Sequence, residues 1–144
     1  MAVRQFVRFL VTLFGLCAAT AVSTEPARAA EEKPYVVKDG KVDKATFNGW
    51  RRYTESCLRC HGPDGAGSSY APDLVESLKS ISEDQFNEIV INGRMNVSKA
   101  NESVMPAFGT VEDVALYLHD IYAYIKARSD GVLGRGRPPR IGDQ

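Results

Sequence analysis

Apolar and polar positions along the chain fall into three helical stretches. From Asp43 onward, Phe47, Trp50, Tyr53, Thr54 and Cys57 recur at three- and four-residue steps, so one face of a helix capped by Asp43 runs directly into a pair of cysteines. A second stretch opens with Ser82 and Gln85 in capping-box spacing, carries Phe86, Ile89 and Val90 on one stripe, and stops at Gly93. The third is expected from about Val111 to Arg128, with Val114, Leu118, Ile121 and Ile125 on one face. Gly49 sits inside the first stretch, where glycine costs roughly 1 kcal/mol against alanine and so marks a close approach by another backbone or ring.

The intervening segments do not repeat in this way. Gly62-Pro63-Asp64-Gly65-Ala66-Gly67-Ser68-Ser69 predicts a loop, Arg94 to Val104 is polar and irregular, and Pro106 forbids helix around it. No strand-like alternation of useful length is visible, so the expected class is all-α with three principal helices. The domain proper is placed at residues 43–128. Residues 30–42 read as an exposed N-terminal leader, and 129–144, with Arg135, Arg137 and Arg140, as a basic extended tail that either packs on the domain or meets an acidic partner. Packing is favoured, with Val132 and Leu133 holding the tail down.

Residues 1–29 read as a signal peptide. Arg4 and Arg8 precede an apolar run from Phe9 to Val22, and Ala27-Arg28-Ala29 supplies small residues at the two positions an export peptidase reads. A retained membrane anchor is the weaker alternative, because Thr12 and Gly15 dilute a run shorter than the roughly 20 residues a bilayer needs. A lipid anchor on Cys17 is disfavoured by the bulky Leu16 before it. The expectation is a periplasmic protein with no stable membrane insertion. Without the leader, 115 residues remain with 15 Lys or Arg against 17 Asp or Glu, which is one domain of formal charge −2 with no basic stripe for nucleic acid.

The chemistry lies in Cys57-Leu58-Arg59-Cys60-His61. In C-x-x-C-H two thiols can add to the two vinyl groups of one haem while the adjacent imidazole reaches the iron from the same side. A disulfide oxidoreductase would place such a pair at a helix start after a strand, and a zinc site would need two further ligands. The only other histidine, His119, falls opposite the apolar face of the last helix beside Glu112 and Lys126, as a solvated surface residue would. That leaves methionine as the second axial ligand, with Met95 and Met105 as candidates. Met105 is preferred because Pro106 forces it into an extended conformation and Val104 and Phe108 give it apolar flanks.

These features resemble a class I cytochrome c over residues 43–128: the aromatic helix with Gly49 and Tyr53 ahead of Cys57-x-x-Cys60-His61-Gly62, then Ala71-Pro72-Asp73-Leu74, Met105-Pro106-Ala107-Phe108-Gly109, and the aromatic helix around Tyr124. The resemblance implies three principal helices and loops wrapped around one covalent haem c. It also implies that Gly49 lets the first and last helices cross, and that Pro72 offers its carbonyl to the proximal imidazole Nδ1. A narrower likeness, carried by Tyr35–Asp43, Gly62–Pro72 and Tyr124–Pro138, is to methanol-metabolism-related cytochromes, although the extra cysteine pair of some relatives is missing. It implies a PQQ-dependent alcohol or methanol dehydrogenase as electron donor and a downstream cytochrome or terminal oxidase as acceptor. The chain would then be an electron carrier rather than an enzyme. The rival is a five-coordinate haem enzyme or small-ligand sensor, for which Arg94 is the candidate distal group. A haem-bearing subunit of an oxidase differs from the main reading only in partner.

Overall fold

The computed structural model describes residues 32–97 and 102–143; the leader assigned to 1–29 lies outside them. Three helices of ten or more residues dominate: α1 (Lys44–Ser56), α4 (Glu83–Asn92) and α6 (Leu118–Ser129). Three single-turn helices lie between them, α2 (Leu58–His61), α3 (Leu74–Ser77) and α5 (Glu112–Ala115), with a 3-10 turn at Pro63–Gly65.

Local chemistry sets the ends of the long helices. Asp43 is extended and its carboxylate accepts the Thr46 N–H at 3.3 Å, so it caps α1. Ser82 and Gln85 form a reciprocal capping box at the start of α4, and Gly93, at φ +75°, terminates that helix. Gly49 is the notch at which α1 crosses α6, since a Cβ built there would lie 1.8 Å from the Asp120 carbonyl oxygen. Beside the notch, Asn48 Nδ2 donates to the Asp120 carboxylate at 2.7 Å, and the Tyr53 and Tyr124 rings meet at 5.5 Å. Tyr53, Tyr124, Ile121, Ile125, Leu78 and Val114 are fully buried around this crossing.

Three expectations need correction. Residues 35–42 are not a bare leader: β1 (Val37–Lys38) pairs antiparallel with β2 (Lys41–Val42), and Tyr35 and Val42 are buried. The turn between the strands has positive φ at both Asp39 (50°) and Gly40 (74°), the geometry whose twist suits a two-residue hairpin. The stretch after Gly93 is also strand, since β3 (Arg94–Val97) pairs antiparallel with β4 (Glu102–Met105). The last helix is two helices. Tyr117 leaves helical geometry between α5 and α6, where the Arg52 guanidinium covers its ring at 4.7 Å and bridges to Asp113 at 3.1 Å.

The C-terminal segment packs, as favoured, although of the two residues expected to hold it Leu133 is buried and Val132 stays exposed; Pro138 is buried as well. Val42 N–H donates to Pro139 O at 2.9 Å and Ile141 N–H to Val42 O at 2.8 Å, so the segment runs parallel to β2 there.

Candidate haem-attachment site

The last turn of α1 delivers Cys57 to the helix end, where its N–H donates to Tyr53 O at 2.8 Å. The next turn, α2, carries Cys60 and His61. Both thiols are free; Cys57 is half-buried and Cys60 exposed. Burial, and after it the neighbouring Cys60, pushes the Cys57 thiol up to about 12. A redox-active C-x-x-C needs a thiolate of lowered pKa. The direction at Cys57 is the opposite of that lowering.

His61 is 7% exposed and its Nδ1 lies 3.0 Å from Pro72 O. That contact, expected from the family resemblance, sets the tautomer with the proton on Nδ1 and leaves Nε2 as the basic nitrogen available to a metal. The loop between His61 and Pro72 is tightly folded. Gly67 N–H donates to His61 O at 2.8 Å, Ser68 Oγ bonds Cys60 O, and Tyr53 Oη donates to Gly62 O at 2.5 Å. Gly62 and Gly67, both at positive φ, approach so closely that a Cβ on Gly62 would sit 2.3 Å from Gly67 O.

Met105 and Met95 are separated by strand geometry. Register pairs Arg94 with Met105 and Met95 with Val104, so the two methionines project from opposite faces of the β3–β4 hairpin. Met105 is half-buried against the core, whereas Met95 and its partner Val104 are 71% and 62% exposed. The segment after Met105 is pinned to the end of α4, with Phe108 N–H donating to Val90 O at 2.9 Å and Gly109 N–H to Ile91 O at 3.2 Å. Arg94 is exposed, as is His119, which bonds Glu83 at 2.7 Å. Neither is a buried distal group.

The donor set fits a haem c: two thiols at the required spacing, an adjacent imidazole with Nδ1 engaged, and an inward thioether. Leu58, Leu74, Ile81, Phe108 and Leu118 lie half-buried on the same core as Cys57 and Met105, the apolar surface a porphyrin needs. Among the described residues no group of three or more His, Cys, Asp or Glu side chains converges as a metal cage would. The sequence reading missed the hydroxyl of Tyr53 as a support of this loop. Its position one helical turn before Cys57 was the available signal.

The profile of the family described as "Cytochrome C oxidase, cbb3-type, subunit III" matches residues 44–125. Cytochrome c-553I of Paracoccus denitrificans is 49% identical over 109 residues, 76% of this chain and 48% of that protein, so the chain spans about half the length of that relative. Cytochrome c-555 of Methylococcus capsulatus is 44% identical over 96 residues, covering 66% of this chain and 72% of the relative. Among solved structures, the c-type cytochrome XoxG from Methylobacterium extorquens AM1 superposes with a TM-score of 0.66 at 39% identity, over 81% of this chain and 77% of that one. With the geometry above, these matches mean that the chain belongs to the class I c-type cytochromes, one-electron carriers built around a covalent haem c.

Proposed function

We propose that this chain is an exported carrier that takes single electrons from a PQQ-dependent alcohol or methanol dehydrogenase and passes them to a downstream cytochrome or terminal oxidase. Cys57 and Cys60 would hold the haem through thioether bonds, His61 and Met105 would hold its iron, and Pro72 would orient His61. The observation that carries the reading is the 3.0 Å contact between His61 Nδ1 and Pro72 O, which fixes the ring and leaves Nε2 free for a metal. When bound, the haem supplies the one-electron couple between ferric and ferrous iron.

The chain's own residues hold that couple steady. His61 and Met105 would both hold the iron, and the half-buried apolar residues on the same core would shield it from water. Transient redox encounters bury little surface, under about 1,200 Å², so a large hydrophobic interface is not required. Export is consistent with the reading of residues 1–29 and with haem attachment outside the cytoplasm. No helix among the described residues is long and apolar enough to cross a membrane. The donor is inferred from the likeness to methanol-metabolism-related cytochromes.

Mixing the oxidised cytochrome with each purified, reduced quinoprotein dehydrogenase of the source organism tests the donor. Rapid reduction by an alcohol or methanol dehydrogenase is expected, and reduction only by an unrelated enzyme would overturn it. Intact mass of the exported protein should show a chain starting at Ala30 with one haem attached. Fast carbon monoxide binding by the reduced protein at neutral pH would favour the five-coordinate rival.

A further inference from the structure

The C-terminal segment and the loop after His61 are joined by Asp64. Its carboxylate, 10% exposed, accepts the Gly136 N–H at 2.8 Å through Oδ1 and the Arg135 Nε–H at 3.2 Å through Oδ2, from residues 72 and 71 positions away. Its carbonyl oxygen faces Arg128 Nε at 3.5 Å, and Arg128 Nη1 donates to Leu133 O at 2.7 Å. Asp64 itself holds left-handed backbone, φ 60° and ψ 17°, a conformation that Asp tolerates better than most residues.

The segment is anchored on its other side to α1 and β2. Leu133 is 4% exposed, and the Arg137 guanidinium lies over the Phe47 and Trp50 rings at 5.4 and 5.5 Å. Beyond it, Arg140 covers Phe47 at 5.6 Å and the backbone on either side pairs with Val42. Tension on the Asp64 loop is therefore borne by the first helix and the hairpin. On its inner side the same loop touches the ligand: Gly67 N–H supports His61 O, and Gly67 packs against the Pro72–Asp73 backbone so tightly that a Cβ there would lie 2.8 Å from Asp73 N.

We propose that Asp64 is a positioning residue for the haem ligand, the anchor by which residues 133–140 strap the 62–67 loop and so keep the Pro72 carbonyl on His61 Nδ1. The inference rests on His61 being the proximal ligand. With the strap released, the loop opens locally to water while the α1–α6 core stays closed, because local openings are governed by the contacts of the segment that moves.

The test is hydrogen exchange followed by NMR on the reduced holoprotein, comparing the parent with Asp64→Gly, Asp64→Asn and a chain ended after Gly134. Glycine suits the left-handed backbone but removes the whole side chain, with its interaction with Tyr124, and adds backbone freedom, so the shortened chain, which keeps Asp64, is the decisive comparison. His61 Nδ1–H and Gly67 N–H should exchange about tenfold faster in Asp64→Gly and in the shortened chain, while Ile125 N–H in α6 is unchanged. Asn keeps an acceptor oxygen for Gly136 and should retain most of the protection. Unchanged exchange at His61, or equal acceleration at all three protons, would overturn the proposal. The dehydrogenase assay on the parent reports separately on the functional reading, so the two failures are distinguishable.

Discussion

Replacing Gly49 by Ala places a methyl group where the α1–α6 crossing has no room. The Cβ would lie 1.8 Å from the Asp120 carbonyl oxygen and 2.4 Å from its carbon, against about 3.3–3.6 Å for an ordinary C···O contact. Both partners are helix backbone, so no side chain can rotate away, and the helices must separate by roughly 1.5 Å to restore that contact. Separation loosens Tyr53, Tyr124, Ile121 and Ile125, all about 1% exposed. Overpacking of this kind costs typically 1–3 kcal/mol and occasionally more. Alanine's better helix propensity returns about 1 kcal/mol. Because the overlap is backbone on backbone, the upper end applies, and the net loss is about 2 kcal/mol. For a domain of this size that lowers Tm by roughly 8–16 °C. Thermal unfolding of the holoprotein, followed by far-ultraviolet circular dichroism and by the Soret band together, measures it. Gly134→Ala, where nothing lies within 4 Å and φ is not positive, serves as control and should shift Tm by little. A Gly49→Ala protein with unchanged or raised Tm would show that the two helices do not cross at this notch.

Met105→Ala should abolish the far-red iron–sulfur charge-transfer band of the oxidised protein and lower its reduction potential, whereas Met95→Ala, on the outward face of the hairpin, should leave both nearly unchanged; the reverse pattern would exchange the assignments. Tyr53→Phe removes the hydroxyl that satisfies the buried Gly62 carbonyl and should cost about 1–3 kcal/mol in chemical denaturation. For Asp130, burial alone would raise the carboxyl, but hydrogen bonds from Lys126, Lys33 and Tyr35 outweigh it and hold the group well below the usual carboxylate range. A depressed folded pKa gives stability that is present above the unfolded value of about 3.9 and lost as pH falls toward the folded one. The stability–pH curve of Asp130→Asn should therefore be flatter than the parent's below about pH 5.

The sequence exposed what depends on short-range chemistry. Asp43 and Ser82 cap the helices they were expected to cap, and Gly49 marks a backbone contact as a mid-helix glycine should. Asp39-Gly40 between valines and lysines was an available hairpin signal that the charged, proline-containing surroundings obscured. The β3–β4 pairing carried only a weak mark, because the alternation Arg94-Met95-Asn96-Val97 is four residues long and Glu102-Ser103-Val104-Met105 does not repeat it. The break at Tyr117 has neither glycine nor proline. Arg52 contacts Asp113 and Tyr117 there, an interaction between distant parts of the chain that local pattern cannot reveal. At the candidate site Cys57, Cys60 and His61 stand out in the sequence as a motif, while Asp64 does not, since its partners lie 71 and 72 residues downstream.

The Gly49 crossing also sets an order of events as the chain emerges and folds. It joins segments 72 residues apart, and a lone helix as short as the 13 residues of α1 is marginal in water until its apolar face is covered. The covering face belongs to α6, so a chain still being made cannot close its core until residue 129 has emerged. Until then Cys57 and Cys60 sit on a frayed, accessible stretch. For a chain that folds only after export, the interval lasts until everything after His61 has crossed, and within it both thiols can be reached by whatever attaches the haem, before the fold shuts Cys57 into its half-buried place.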